Sequence, residues 1–253
     1  FRFQSWIDNV AAGKNHVVKN PNFDNLYYAP RNIADKINSW LDGKLFLYNN
    51  NYKNRWKQLF SDIQELVEKQ DCKLIVLDNL MALNISDFDG AKNEQQSQFI
   101  NEIKEYAKQK NIHVILVCHP RKQDGFLRKE SISGTADLTN LCDNLFILHR
   151  VGRDFRSRAT EFFGEAEVQR LLNFDTVVEV CKNRMLGVQD YLVGMYYENE
   201  SRRLKNEISE HIIYSWEEHP QQTSVFTQNS YGVSEDPLEN PDFFTQSKEE
   251  APF

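Results

Sequence analysis

Cysteine is scarce in this 253-residue sequence, with four residues at positions 72, 118, 142 and 181, and none stands in a Cys-x-x-Cys pair or a compact cluster. That spacing signals neither a zinc site nor a disulfide framework, and it fits a reducing, intracellular setting. Long apolar runs are missing too. The longest are roughly five residues, far short of the ~18 a membrane-spanning helix needs, and mean hydropathy is -0.62. The opening FRFQSWIDNVAAGKNHVV has neither a basic stretch nor a continuous apolar one, so it does not read as a signal peptide. It begins with Phe1 inside an amphipathic pattern (Phe3, Trp6, Ile7, Val10), which leads one to expect a piece of a longer polypeptide.

A net positive charge is also lacking. The formal charge is -7, which taken whole argues against a polyanionic partner, but its distribution reverses that inference. Residues 217–253 hold eight acids and one base and so carry the entire excess; residues 1–216 hold 29 bases and 29 acids. Within that neutral body, His119 to Arg158 holds eight bases against five acids. The 217–253 stretch contains Pro220, Pro237, Pro241 and Pro252, many Ser, Thr, Gln and Asn, and no sustained periodicity, so a disordered acidic tail is expected beyond a folded domain at 1–216.

What is present is an alternation of helical faces and apolar strands. Trp56, Leu59, Phe60, Ile63, Leu66 and Val67 recur at spacings of three and four, and Phe99, Ile103, Tyr106 and Ala107 do so within 98–110. Between and after them lie KLIVL at 73–77 and HVILVC at 113–118, continuous β-branched and leucine runs of the kind that form buried parallel strands. Further strands are expected at 44–48 (KLFLY), 144–148, 176–181 and 191–197. The pattern predicts an α/β domain, a mostly parallel sheet with helices on both faces.

In such sheets ligands bind beyond the carboxyl ends of the strands. KLIVL runs into Asp78 and Asn79; a carboxylate there can hold Mg²⁺ or its water shell beside a nucleotide, or simply cap the next turn. HVILVC runs into His119-Pro120-Arg121-Lys122. His119 can hydrogen-bond a terminal phosphate, or it can be a satisfied core histidine. The two bases after it enter a segment rich in Gly and Ser, where Ser131, Ser133, Gly134 and Thr135 offer hydroxyls and unhindered backbone N–H groups to a phosphate chain. Lys182 and Arg184 stand two apart just past a strand, so both point the same way if pairing persists; they can form a surface ion-pair face or reach a neighbour's nucleotide as an arginine finger with its companion.

The order of these pieces is more specific than any one of them. Asp78-Asn79, a helix, HPRK at 119–122, SISGTA at 131–136, LCDNLFILHR at 141–150 and KNR at 182–184 followed by Gly187 together resemble the hexameric replicative helicase core of the DnaB, Twinkle and phage helicase-primase type, a RecA-like fold. The resemblance covers about residues 1–204. It implies an ATP-dependent, Mg²⁺-requiring helicase that moves along single-stranded DNA as a ring, usually a hexamer, in the cytoplasm of a bacterial or phage-infected cell or in the mitochondrial matrix. Asp78 matches the Walker B carboxylate with Asn79 its neighbour, and His119 matches the sensor of the terminal phosphate. Arg121, Lys122, Ser131, Ser133, Gly134 and Thr135 match the central DNA-binding loop, and Arg184 with Lys182 matches the finger supplied in trans.

The sequence departs from that family in one respect. GxxxxGK[ST], the phosphate loop, is absent: Gly13-Lys14 is preceded by Asp8 where the motif needs Gly and followed by Asn15 where it needs Ser or Thr. The family's catalytic Glu would also precede Phe1, and the first strands of the sheet with it. Two further readings therefore stand beside the helicase: a RecA-type recombinase ATPase, and a non-catalytic interaction module that keeps the fold. Finally, Glu249-Glu250-Ala251-Pro252-Phe253 resembles the acidic, aromatic-ended tails with which phage helicases and single-strand-binding proteins dock replication partners, here a polymerase or primase.

Overall fold

A computed structural model describes residues 2–48, 55–121 and 126–217. The acidic tail, and the docking expected of Phe253, lie outside the described residues. The chain opens with helix α1 (Arg2–Ala12), short antiparallel strands β1 (Val18–Lys19) and β2 (Tyr27–Tyr28), and helix α2 (Arg31–Leu41), which starts directly after Pro30. Proline suits that place because its fixed φ extends the entry and its missing N–H has no intrahelical partner to lose. Ala11, Ala12, Ile37 and Trp216 are buried together, with Trp40 and Tyr214 packed beside them. Arg203 closes this cluster. Its guanidinium donates to the carbonyls of Val10 (2.7 Å), Ala11 (3.0 Å) and Ile212 (2.7 Å), so a cation caps the C-terminal end of α1, where the helix dipole favours it. Gly13, at φ +70°, leaves room for that guanidinium; a Cβ there would lie 2.7 Å from it.

The central layer comes next: α3 (Trp56–Lys69), β3 (Leu74–Asp78), α4 (Lys92–Lys110) and β4 (His113–Val117). β3 and β4 pair in parallel, Ile75 opposite Val114 and Leu77 opposite Leu116. Both helices cover this face: Trp56, Ile63 and Val67 from α3 and Phe99, Ile103 and Tyr106 from α4 form one core with Ile75 and Leu77. The opposite face carries Leu74, Val76 and Ile115, which are 54%, 56% and 42% exposed. The apolar strands are therefore covered by helices on one side only, among the described residues.

The third part holds α5 (Asp137–Leu141), β5 (Asn144–Arg150), α6 (Phe155–Phe163), α7 (Glu165–Leu171), β6 (Thr176–Asn183), β7 (Tyr191–Glu198) and β8 (Arg203–Lys205). The strands the sequence predicts at 144–148, 176–181 and 191–197 are all here. They do not extend the parallel pair, but form a sheet of their own in the order β5-β6-β7-β8, antiparallel throughout. Chain length dictates this between β6 and β7, because the link at 184–190 is too short for a parallel crossover, which takes about a dozen residues or more. Gly194 on β7 admits the ring of Phe174, which would lie 2.3 Å from any Cβ at that position.

The strand expected at 44–48 does not form. Lys44 ends a turn, and Leu45, Phe46, Leu47 and Tyr48 are extended without a ladder partner and stand 38–48% exposed. Apolar, β-prone side chains make a strand only where an edge accepts their backbone groups, and no strand pairs with this run among the described residues.

The two faces of the parallel pair predict opposite responses to mutation. Phe99→Ala should cost about 3–5 kcal/mol in urea unfolding through the cavity it leaves, whereas Val76→Thr on the uncovered face should stay within about 0.5 kcal/mol.

Candidate functional site

The parallel register sets the site. With Asp78 opposite Val117, the residues just beyond the two strands, Asn79 and His119, meet across the strand ends. The Asp78–Asn79 peptide bond is cis. Asn79 caps the short 3₁₀ turn Leu80–Ala82, its Oδ1 accepting from the N–H groups of Met81 (3.0 Å) and Ala82 (3.2 Å). The cap turns the amide nitrogen towards His119 Nε2 at 2.9 Å. An amide nitrogen only donates, so Nε2 is the acceptor and the imidazole proton sits on Nδ1. Nδ1–H is thus the donor His119 can offer a ligand. The Asp78 carboxylate is exposed and makes no hydrogen bond or ion pair among the described residues.

Asp78 suits the metal side of a nucleotide site. No group of three or more His, Cys, Asp or Glu is placed to hold a metal among the described residues. A Mg²⁺ there would take its remaining ligands from phosphate and water, as that ion commonly does.

After His119 the chain turns back on itself. Arg121 N–H donates to Ser131 O (2.7 Å), Ser133 N–H to His119 O (3.1 Å), and Pro120 bridges Ile132. Ser131 is buried and its Oγ accepts from Arg128 N–H (2.9 Å), so this hydroxyl is used inside the fold. Ser133, Gly134 and Thr135 stay partly accessible. Helix α4 fixes them: the buried Gln96 accepts Thr135 N–H (3.1 Å), and Ser97 Oγ lies 3.2 Å from the Thr135 hydroxyl. The Arg121 guanidinium donates to Gly134 O (3.2 Å). Lys122 lies outside the described residues.

Lys182 and Arg184 do turn to one side, and both meet the C-terminal end of α5. Lys182 Nζ donates to the carbonyls of Thr139 (2.9 Å) and Asn140 (3.0 Å). Arg184 pairs with Asp143 (3.1 Å) and donates to Asn140 O (3.0 Å). Lys104 joins them at Leu141 O (2.5 Å) and Asp143 (3.6 Å). Three cations thus satisfy carbonyls that a helix end leaves without partners.

A second polar centre escaped the motif reading. Glu179 on β6 is fully buried, one carboxylate oxygen taking Arg128 (2.7 Å) and the other His149 Nε2 (2.7 Å). Arg128 also reaches Asp190 (2.9 Å) and lies over the rings of Phe162 and Phe163, while Phe126 stacks on His149 at 4.4 Å. The network ties the segment after Lys122 to the antiparallel sheet. Burial, then the nearby Glu179 carboxylate, pushes the Cys181 thiol up to about 12; burial, then Cys142, pushes Cys118 up to about 11. Both thiols remain protonated at neutral pH, which removes them as nucleophiles.

Residues 30–125 match the family model described as an AAA domain, a stretch that contains Asp78, Asn79 and His119. Among solved structures, the ATPase domain of a DnaB-like phage helicase is similar at 16% identity and a TM-score of 0.45, covering 61% of this chain and 52% of that one. This chain therefore spans about half the length of that structure. No curated protein matches it.

Two outcomes test this geometry. The His119 ring in ¹⁵N NMR at neutral pH should show Nε2 as the unprotonated nitrogen; the opposite tautomer would mean that Asn79 does not cap Leu80–Ala82. Glu179→Ala, which leaves Arg128 and His149 without their buried counter-charge, should lower unfolding stability by about 3 kcal/mol.

Proposed function

We infer that the chain carries a RecA-like ATPase core of the DnaB helicase type, and propose that it serves as a subunit of an ATP-driven replicative helicase, translocating on single-stranded DNA as a ring. The observation that carries the reading is the meeting of Asn79 and His119 at 2.9 Å beside the open carboxylate of Asp78. These three groups stand at the carboxyl ends of two adjacent parallel strands, where a nucleotide would lie. Asp78 holds the Mg²⁺ water shell. His119 offers Nδ1–H to the terminal phosphate, and its Nε2 bond to Asn79 ties that contact to the turn after Asp78. When phosphate leaves, the ring loses a partner on one side, and the backbone behind it, which accepts Ser133 N–H at His119 O, can pass the change to the loop that grips DNA.

MgATP supplies the phosphoryl group and its counter-ion when bound, and this chain's residues orient and sense it. The phosphate cradle itself is not encoded between Phe1 and Phe253, so hydrolysis requires a GxxxxGK[ST] segment elsewhere in the assembly. Arg184 is the finger for a neighbouring subunit's nucleotide and must leave Asp143 to reach it. Contacts to DNA run mainly to phosphate, so affinity falls with salt and depends little on sequence.

The missing phosphate loop specifically favours one other reading, a non-catalytic module that keeps the fold for interaction. The full gene product containing this sequence decides between them. With Arg184→Ala, DNA-stimulated ATP hydrolysis should drop at least about 10³-fold, the scale of a removed arginine finger, while binding of a fluorescent ATP analogue is retained. Unchanged turnover removes Arg184 from that role, and absence of ATP binding in the unmutated product supports the module.

A further inference from the structure

Lys182 and Arg184 do not share a destination. A cavity of about 450 Å³ lies between the 129–136 segment and β6, and Arg121, Lys129, Gly134, Thr135, Lys182 and Gln189 are among its walls. Arg184 is not: its guanidinium is taken by Asp143 and Asn140 O. The cavity is large enough for one nucleotide unit. It presents three cations, and its one carboxylate, Glu130, is 3.9 Å from Lys129. Lys182 uses two of its three N–H donors on the carbonyls of Thr139 and Asn140, which fixes the ammonium in place and leaves a third donor. A cation already immobilised loses little further freedom on binding, so it discriminates in favour of an anion of fixed spacing.

We propose that this cavity holds a backbone phosphate of single-stranded DNA, with Lys182, Lys129 and Gln189 completing from β6 and its neighbours a site whose other wall is Arg121, Gly134 and Thr135. Lys182 is then a DNA-binding residue and not the companion of the finger, and the two bases of the KNR motif divide between two polyanions. The proposal rests on the reading of the 121–135 segment as the DNA loop and adds three side chains to it. It also gives β6 a mechanical role: one strand carries a DNA contact at Lys182 and, two residues on, the base aimed at a nucleotide.

The test uses the chain itself and a fluorescein-labelled oligothymidylate, followed by anisotropy across a salt series. Lys129→Ala and Lys182→Ala should each weaken binding about threefold to tenfold at low salt, and each should flatten the salt slope by about 0.7, the value for one phosphate left without its cation. Lys182→Arg should restore most of the affinity, Gln189→Ala should weaken binding without changing the slope, and Lys69→Ala on α3 should match the unmutated chain. If Lys182→Ala abolishes the circular-dichroism melt, Lys129→Ala decides, because Lys129 makes only its 3.9 Å approach to Glu130. Weakening by Arg121→Ala with no effect of Lys129→Ala, Lys182→Ala or Gln189→Ala overturns the cavity site and leaves the DNA loop standing. No binding by the unmutated chain, or undiminished binding by Arg121→Ala, overturns the DNA loop and the proposal with it. Displacement of the oligonucleotide by ATP alone assigns the cavity to a nucleotide and overturns the proposal.

Discussion

The parallel ladder between Leu74–Asp78 and His113–Val117 is the constraint from which the rest follows. Side chains alternate along a strand, so a slip of one residue would carry Ile75 and Leu77 from the helix-covered core to the open face and move Asn79 away from His119. Burial on α3 and α4 holds the register, and the register aims the site. Nothing at the strand ends needs to be strong in itself: a capped turn and one amide-to-imidazole bond suffice because the core behind them does not move.

A second tie works between the two sheets. The carboxylate of Glu179 receives Arg128 from the segment that follows the strand-end histidine and His149 from β5, so one buried charge fastens a polar loop to a rigid strand. Buried charges are costly unless compensated on all sides. The four aromatic rings of Phe126, Phe155, Phe162 and Phe163 around this pair exclude water, while Arg128 keeps a partly exposed link to Asp190. The arrangement limits how far the loop can travel without dragging β6.

Much of this was legible in the chain. Period-four apolar spacing located α3 and α4, and continuous β-branched runs located β3 and β4, because each is a local consequence of burying one face. The strand-end residues Asp78, Asn79 and His119 could be singled out for the same reason. Pairing direction could not: Asn144–Arg150, Thr176–Asn183 and Tyr191–Glu198 read as strands from their side chains, but only the length of the links between them distinguishes antiparallel from parallel. KLFLY at 44–48 shows the converse, a run whose composition asks for a strand and whose described surroundings supply no edge. Glu179 did leave a signal, a charge at the same alternation parity as Val177 and Cys181, which places a carboxylate on the inward face. The convergence of Lys104, Lys182 and Arg184 on the end of α5 left none, since it joins positions far apart in sequence through backbone carbonyls.

The uncovered face of Leu74, Val76 and Ile115 has a thermodynamic consequence. Heat capacity and denaturant sensitivity of unfolding both scale with the apolar surface newly wetted when the chain opens. Side chains already in contact with water contribute nothing to either. The described part of the protein therefore unfolds with a broader, shallower transition than a fully covered sheet of equal length would, and anything that settles on that face sharpens the transition as well as raising its midpoint.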